Sequence, residues 1–169
     1  MTIVLTLLVV SMTTAADISP AQMLTWDSRD FSGATRYSLE QRDNQTLLRA
    51  QCINGASALY LEQSIDLQQT PVLRWSWAVA NTFANIDETS KAGDDYPVRL
   101  YVVKDGGLLP WRTKALNYVW SSTQPAGSDW PNAYTANAHM LALRSGEPPA
   151  AGKLVSERRN VREDFQTYH

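Results

Sequence analysis

The chain of 169 residues has little of what several protein classes require. Its one cysteine, Cys52, cannot form an internal disulfide, so the fold must be held by its hydrophobic core. Its two histidines have no cysteine or histidine close in sequence, which argues against a zinc site. Fifteen basic and seventeen acidic residues give a net charge of −2, without the positive excess typical of nucleic-acid-binding proteins. These absences favour an ordinary globular protein that does not bind nucleic acid.

The motifs of common catalytic classes are also missing. The sequence contains no Gly-x-Ser-x-Gly element, no phosphate-binding loop and no dinucleotide-binding glycine pattern. Serine hydrolases with such an element, kinases and nicotinamide-dependent oxidoreductases therefore gain no support, and no cofactor is expected. A glycosidase needs only two carboxylates, so that class stays open.

The longest apolar run lies at the amino end. Within residues 1–16, about ten apolar residues are followed by small residues. This pattern is typical of a secretory signal peptide cleaved after Ala15 or Ala16. The run is shorter than the roughly 20 residues that span a bilayer, so no permanent membrane span is expected. No lysine or arginine precedes it, and a buried strand is the alternative interpretation. We predict a periplasmic or secreted protein with one mature domain over residues 17–169.

The remainder of the chain is patterned as short strands. Leu73, Trp75, Trp77 and Val79 alternate with other residues at period two, which predicts a strand with both tryptophans in the core. Asn54-Gly55 is the strongest hairpin signal. About six or seven such runs, without helical periods between them, predict an all-β fold, an antiparallel two-layer β-sandwich of jelly-roll type.

One short helix is predicted at the carboxyl end. Asn160 is a good cap, and Glu163 follows it at the spacing of a capping box. Val161 and Phe165 share a face of this helix. So short a helix is stable only when it is docked on the sheet.

Several segments in one order resemble the bacterial family DUF3047, a domain of unknown function. They are residues 31–37, 71–77, 91–103, 115–121, 130–137 and 157–164. The resemblance covers nearly the whole mature chain and implies an exported protein with no assigned activity. The family pattern continues past the last helix, so the resemblance also implies that this chain is short at its carboxyl end. An incomplete sandwich would expose a sheet edge.

An acidic loop over residues 87–97 is the first candidate site. Asp87, Asp94 and Asp95 are weak candidates for a divalent cation, although their spacing is not that of an EF-hand. If the protein is an enzyme, Asp94 or Asp95 would form an acid/base pair with Glu157. Adjacent aspartates on an extended chain point to opposite faces, so at most one enters a given cleft. The alternative is a solvated loop whose aspartates satisfy turn backbone and pair with Arg99.

Aromatic residues provide the second candidate site. Trp111 follows a proline, and Trp130 lies between Asp129 and Pro131, so both rings are expected to be exposed in loops. Flat rings stack on sugars while polar neighbours bind hydroxyls. The ligand-binding candidates are Trp111, Trp130, Tyr134, Asn117, Arg99 and Arg158. Asn117 lies in a buried row and needs a hydrogen-bond partner. Arg158 belongs to an arginine-rich segment; if the role of this segment is structural, one of its arginines would reach Asp94 or Asp95 and lock the carboxyl-terminal helix to the sheet.

Three hypotheses follow. The first is a non-catalytic sandwich that binds a glycan or another cell-envelope component. The second is a carboxylate-dependent enzyme acting on glycans, and the third is a structural or degraded family member without activity. The sequence leaves the ligand and the oligomeric state open.

Overall fold

The computed structural model describes residues 16–169, so the predicted signal peptide, apart from Ala16, lies outside the described residues. The chain divides into two compact units, one ending at Thr70 and the other running from Pro71 to His169. The expectation of one domain over residues 17–169 stays a prediction.

The first unit is built from two antiparallel ribbons. Its elements are α1 (Pro20–Met23), β1 (Asp27–Ser32), β2 (Thr35–Arg42), β3 (Gln45–Cys52) and β4 (Ala56–Tyr60). β2 pairs with β3, and β1 pairs with β4. Asp43 and Asn44 have φ of 48° and 63°, which suits the tight turn between β2 and β3.

The hairpin predicted at Asn54-Gly55 is wrong. β3 and β4 follow one another there but do not pair, because each pairs with an earlier strand. Asn54-Gly55 instead forms the bend between the two ribbons, and a Cβ on Gly55 would lie 2.9 Å from the carbonyl oxygen of Ser32. The turn residues were recognised correctly, but a pair of turn residues does not specify which strands pair.

Among residues 16–70, every side chain keeps some exposure to solvent. Phe31 is 60% exposed and Ile53 is 75% exposed. The fully buried residues that the structure describes therefore all belong to the second unit, which carries the packed core.

The second unit contains a four-stranded sheet, a two-stranded ribbon and a helix. Its elements are β5 (Val72–Trp77), β6 (Val98–Lys104), a 3₁₀ turn (Pro110–Arg112), β7 (Lys114–Ser121), β8 (Asp129–Pro131), β9 (Ala138–Ser145), β10 (Val155–Asn160) and α2 (Val161–Tyr168). The sheet has the order β6-β7-β9-β8, and β5 pairs with β10. The predicted fold class, mostly antiparallel β structure with a short carboxyl-terminal helix, is confirmed.

One strand pair departs from the antiparallel expectation. β7 and β9 are parallel neighbours, and β8 pairs with the other side of β9. The connection over residues 122–137 is long enough to return the chain to the end where β7 begins. Residue alternation carries no information about strand direction, so the sequence pattern could not reveal this pair.

The two faces of the four-stranded sheet bury different partners. Tyr118 and Trp120 lie on the face that packs against β5, with ring centroids 5.3 Å from Trp75 and 6.3 Å from Trp77 respectively. Trp77 is only 6% exposed, so the predicted packing role of this strand is confirmed. The opposite face buries a cluster formed by Tyr96, Val119, Trp130, Met140 and Ala142.

Helix α2 begins and docks as its sequence predicts. The Asn160 side chain accepts a hydrogen bond from the Glu163 amide over 3.3 Å, which caps the helix. Val161 is 2% exposed and Asp164 is 6% exposed, so this short helix is stabilised by its contacts with the sheet.

Candidate functional site

Asp94 links the acidic loop to the loop that follows β8. Its carboxylate accepts a hydrogen bond from Arg99 Nη1 over 3.2 Å and another from Asn132 Nδ2 over 3.0 Å. The pair with Arg99 is the one expected of a structural loop, whereas Asn132 gave no signal in the sequence. Both carboxylate oxygens therefore have donors, and two distant segments are held together at this point.

Arg99 lies between two tyrosine rings on the same side of the sheet. Its guanidinium carbon is 4.8 Å from the Tyr96 ring centroid and 5.0 Å from that of Tyr101. Burial raises the pKa of Tyr96, and the nearby Asp94 carboxylate raises it further. Burial also raises the pKa of Tyr101. Arg99 is thus held in place by an ion pair and two rings, and through Asp94 it holds the acidic loop against β6.

Tyr134, whose loop contacts this arrangement through Asn132, and Trp111 are both exposed. Tyr134 is 64% exposed, although its hydroxyl donates a hydrogen bond to the Lys91 carbonyl over 2.9 Å and the Lys91 ammonium lies 5.6 Å from its ring centroid. Trp111 is 69% exposed, and its carbonyl accepts a hydrogen bond from Asn137 Nδ2 over 2.9 Å. We call Trp111 and Tyr134, with Lys91 and Asn137, the aromatic surface.

Trp130 does not belong to the aromatic surface. It is 8% exposed and lies on β8, where it pairs with Met140 and its ring centroid is 6.4 Å from that of Tyr96. The expectation of an exposed ring is wrong because Asp129 and Pro131, taken as loop residues, flank it within a short strand that faces the core.

Asn117 has no exposed surface, as its place in a buried row predicts. Its Nδ2 donates a hydrogen bond to the His139 carbonyl over 3.4 Å, and its Oδ1 has no partner among the described residues. Such a buried, half-satisfied amide reduces stability. Asn117 cannot touch a ligand directly in this conformation, so its predicted binding role stays a prediction that needs a local rearrangement.

Glu157 and Arg158 lie on β10, in the two-stranded ribbon rather than in the acidic loop. The Glu157 carboxylate accepts hydrogen bonds from Trp77 Nε1 over 3.1 Å and from Arg144 Nε over 2.7 Å. Arg144 Nη2 reaches its second oxygen at 3.3 Å, which completes a bidentate pair. Arg158 is exposed on the other side of the strand, opposite Arg74.

The contacts of the candidate carboxylates favour structural roles. Asp94 is bound by Arg99 and Glu157 by Arg144, whereas an acid/base pair requires two carboxyl groups that face each other across a substrate. Asp95 is exposed and accepts a hydrogen bond from the Tyr96 amide over 3.0 Å. The enzyme hypothesis stays a prediction that these contacts do not favour.

The metal candidates likewise accept hydrogen bonds from neighbouring groups of the protein. Asp87 accepts hydrogen bonds from the Thr89 hydroxyl over 2.6 Å and from its amide over 3.1 Å, and these lower the pKa of the Asp87 carboxyl. Within residues 16–169, no group of three or more histidine, cysteine, aspartate or glutamate side chains lies close enough to hold a metal ion. Asp87, Asp94 and Asp95 therefore do not converge on one point.

The most buried carboxylate was missed by sequence reasoning. Glu88 is 1% exposed and accepts hydrogen bonds from the Ser121 hydroxyl and from the backbone amide of Ser122, the latter over 2.6 Å. The amides of Thr123 and Gln124 lie at 3.5 and 3.4 Å from its second oxygen. In the sequence Glu88 is one of four acidic residues in a loop, and nothing in that pattern distinguishes it. Through these hydrogen bonds the Glu88 carboxylate holds the last residue of β7 and the backbone that follows it.

A second carboxylate fastens the carboxyl-terminal helix. The Tyr118 hydroxyl donates a hydrogen bond to Asp164 Oδ2 over 2.6 Å, and Arg159 Nε donates to the same oxygen over 2.9 Å. The sequence predicted that an arginine of this segment would lock the helix to the sheet by reaching Asp94 or Asp95. An arginine does so, but its partner is Asp164.

His139 also has partners that the sequence did not indicate. Its Nε2 lies 2.7 Å from Asp129 Oδ1, and its ring stacks on Tyr168 with centroids 4.5 Å apart. These contacts join α2 to the edge of the sheet.

A family model described as "Protein of unknown function (DUF3047)" matches residues 24–169. No curated protein and no solved structure matches the chain. Over residues 16–169, none of the helices has the length and apolar character needed to cross a membrane.

Proposed function

This chain belongs to the DUF3047 family, whose function is unknown, and we propose from its own residues that it is an exported, non-catalytic protein that binds a glycan or another cell-envelope ligand. The proposed binding site is the aromatic surface. The observation that carries this proposal is the exposure of Trp111 and Tyr134, at 69% and 64%, on loops whose backbones are anchored.

Hydrogen bonds that restrain an exposed aromatic residue favour binding. Tyr134 is anchored through its own hydroxyl to Lys91, and the backbone of Trp111 is held by Asn137. A residue whose ring or backbone is already restrained loses less conformational entropy when a ligand binds. Two such rings offer flat apolar area for the C–H face of a sugar, and tyrosine and tryptophan are enriched at binding surfaces for the same reason.

Polar groups beside the rings would bind sugar hydroxyls. Lys91 is exposed next to Tyr134 and provides an ammonium donor. The Lys114 ammonium bonds to Asn137 Oδ1 over 2.7 Å, so that the amide is held in one orientation beside Trp111. A neutral or weakly anionic glycan suits this combination of rings and cationic donors.

Export is part of the same proposal. It is supported by the apolar run and small residues of positions 1–16, which are typical of a signal peptide. Expression of the full chain with a carboxyl-terminal reporter, followed by fractionation and mass measurement of the amino end, tests it. Retention of Met1 on the cytosolic protein would overturn it.

The binding proposal is tested with the purified protein on a glycan array and on isolated cell-wall polysaccharide. We expect binding by the wild type and a loss of at least about tenfold, or 1.4 kcal/mol, in Trp111→Ala and in Tyr134→Ala. The matched control is Phe31→Ala, which removes a ring that is 60% exposed in the other unit.

Two results would overturn the proposal. One is an absence of wild-type binding to any glycan or wall preparation, which would leave a structural role. The other is equal loss of binding in Phe31→Ala and in the Trp111 and Tyr134 variants, since that would indicate non-specific adhesion through exposed rings.

A further inference from the structure

The outward face of the β5/β10 ribbon carries two arginines side by side. Arg74 and Arg158 are direct cross-strand partners, and both are exposed. Directly opposite residues of an antiparallel pair have Cβ atoms about 5 Å apart. Like charges on directly opposite residues repel and reduce stability, and an anion bound between them would remove that repulsion.

Neither guanidinium has a carboxylate partner among residues 16–169. The arginines that form ion pairs there are Arg42, Arg49, Arg99, Arg144 and Arg159. Glu157 precedes Arg158 in sequence but lies on the opposite side of the strand, where its carboxylate is occupied by Arg144 and Trp77. The two outward charges are therefore available to a ligand.

The next cross-strand pair extends the same surface with hydroxyl groups. Ser76 and Ser156 lie opposite each other, and their hydroxyl oxygens are 2.9 Å apart. A shallow depression at this place is lined by Arg74, Trp75, Ser76, Ser156, Glu157 and Arg158. Guanidinium groups only donate hydrogen bonds, and their planar fork matches two oxygens of one phosphate group.

We propose that Arg74 and Arg158, together with Ser76 and Ser156, bind a tetrahedral oxyanion, namely a phosphate or sulfate group. Each guanidinium contacts two oxygens of the anion, and the hydroxyls donate to it from one side. The site lies on the ribbon and shares no residue with the aromatic surface. It therefore does not depend on the proposed function.

The first test is a titration of the full chain with inorganic phosphate at constant ionic strength, using sodium chloride as the balancing salt. We expect saturable changes in the NMR signals of the arginine Nε–H groups of Arg74 and Arg158. Arg74→Gln and Arg158→Gln should each weaken the phosphate affinity about tenfold or more, because each removes a charged bidentate contact.

The matched control is Arg36→Gln, which removes an exposed arginine of β2 that forms no ion pair within residues 16–169. This variant should bind phosphate as the wild type does, and so should Trp111→Ala. Linear, non-saturating changes in the wild type would overturn the proposal, as would equal weakening in Arg36→Gln.

The source of the anion is tested separately with vesicles. Binding to phosphatidylglycerol vesicles but not to phosphatidylcholine vesicles, lost in Arg158→Gln, would support a lipid headgroup. Saturable phosphate binding without vesicle binding would support a soluble or polysaccharide-borne phosphate. In the absence of phosphate, Arg158→Gln should raise the thermal midpoint slightly at low salt, whereas a lowered midpoint would contradict the repulsion on which the site is argued.

Discussion

Tyr118→Phe removes one hydroxyl group from the contact that ties α2 to β7. Tyr118 has no exposed surface, and its hydroxyl donates to the Asp164 carboxylate over 2.6 Å. The aromatic ring remains in the variant, so packing against Trp75 is kept. A hydrogen bond to a charged group contributes about 1.5–3 kcal/mol. We therefore expect the free energy of unfolding at pH 7 to fall by about 2 kcal/mol.

Urea unfolding followed by circular dichroism measures this change. The matched control is Tyr101→Phe in the same sheet, because the Tyr101 hydroxyl forms no hydrogen bond within residues 16–169 and the residue is 45% exposed. We expect the control to change the free energy of unfolding by less than about 0.5 kcal/mol. Asp164→Asn completes a double-mutant cycle, in which a coupling of about 1 kcal/mol or more between Tyr118 and Asp164 is expected.

The pH dependence gives an independent check on the same hydroxyl. Burial raises the pKa of Tyr118, and the hydrogen bond and charge of Asp164 raise it further. Above about pH 10 the unfolded chain therefore loses a proton that the folded protein keeps, so stability falls as pH rises, by about 1.4 kcal/mol per pH unit for this group. The Tyr118→Phe variant lacks this dependence, so its curve and that of the wild type should converge in alkali.

Equal stability of Tyr118→Phe and the wild type at pH 7 would refute the energetic role of the hydrogen bond. Parallel curves above about pH 10 would refute the raised pKa, even if the stability loss at pH 7 were observed. Tyr96 is also buried and has a raised pKa, but it contributes equally to both proteins and does not affect the comparison.

Two further changes test the acidic loop. Glu88→Gln places an amide donor against the backbone amides of residues 122–124. We therefore expect the free energy of unfolding, measured with urea, to fall by about 3 kcal/mol. The control Glu62→Gln changes an exposed carboxylate and should alter it by less than about 0.5 kcal/mol. Gly93→Ala would bring a Cβ into the backbone of Asp87, so we expect a drop of several degrees in the thermal midpoint; an unchanged midpoint would contradict this close approach.

The strand pattern in the sequence predicted the packing of the second unit more accurately than it predicted the candidate site. Period-two alternation placed Trp75 and Trp77 in the core, and it separated Tyr118 from Asn117 on β7, because a strand directs successive side chains to opposite faces. The same alternation says nothing about which strands pair. For this reason the parallel pair of β7 and β9 and the role of Asn54-Gly55 could not be predicted.

The candidate site depended on contacts between segments far apart in sequence. Trp111 was identified correctly as exposed, since it follows a proline in a loop, and the binding candidate Tyr134 is exposed as well. Trp130 has a similar local sequence but is buried, because the β8 segment pairs with β9 and its ring reaches Tyr96. Local sequence therefore could not distinguish these rings.

The sequence by itself determined the mostly β fold, the capped carboxyl-terminal helix and the membership of the DUF3047 family. These depend on local alternation, local capping chemistry and ordered motifs. Only the tertiary structure decided which carboxylates pair with which donors. Glu88 contacts the end of β7, Glu157 binds Arg144, and Arg74 lies opposite Arg158 without a carboxylate partner in the described residues. Charge pairing depends on distances across the fold, and those distances are fixed only when the strands have paired.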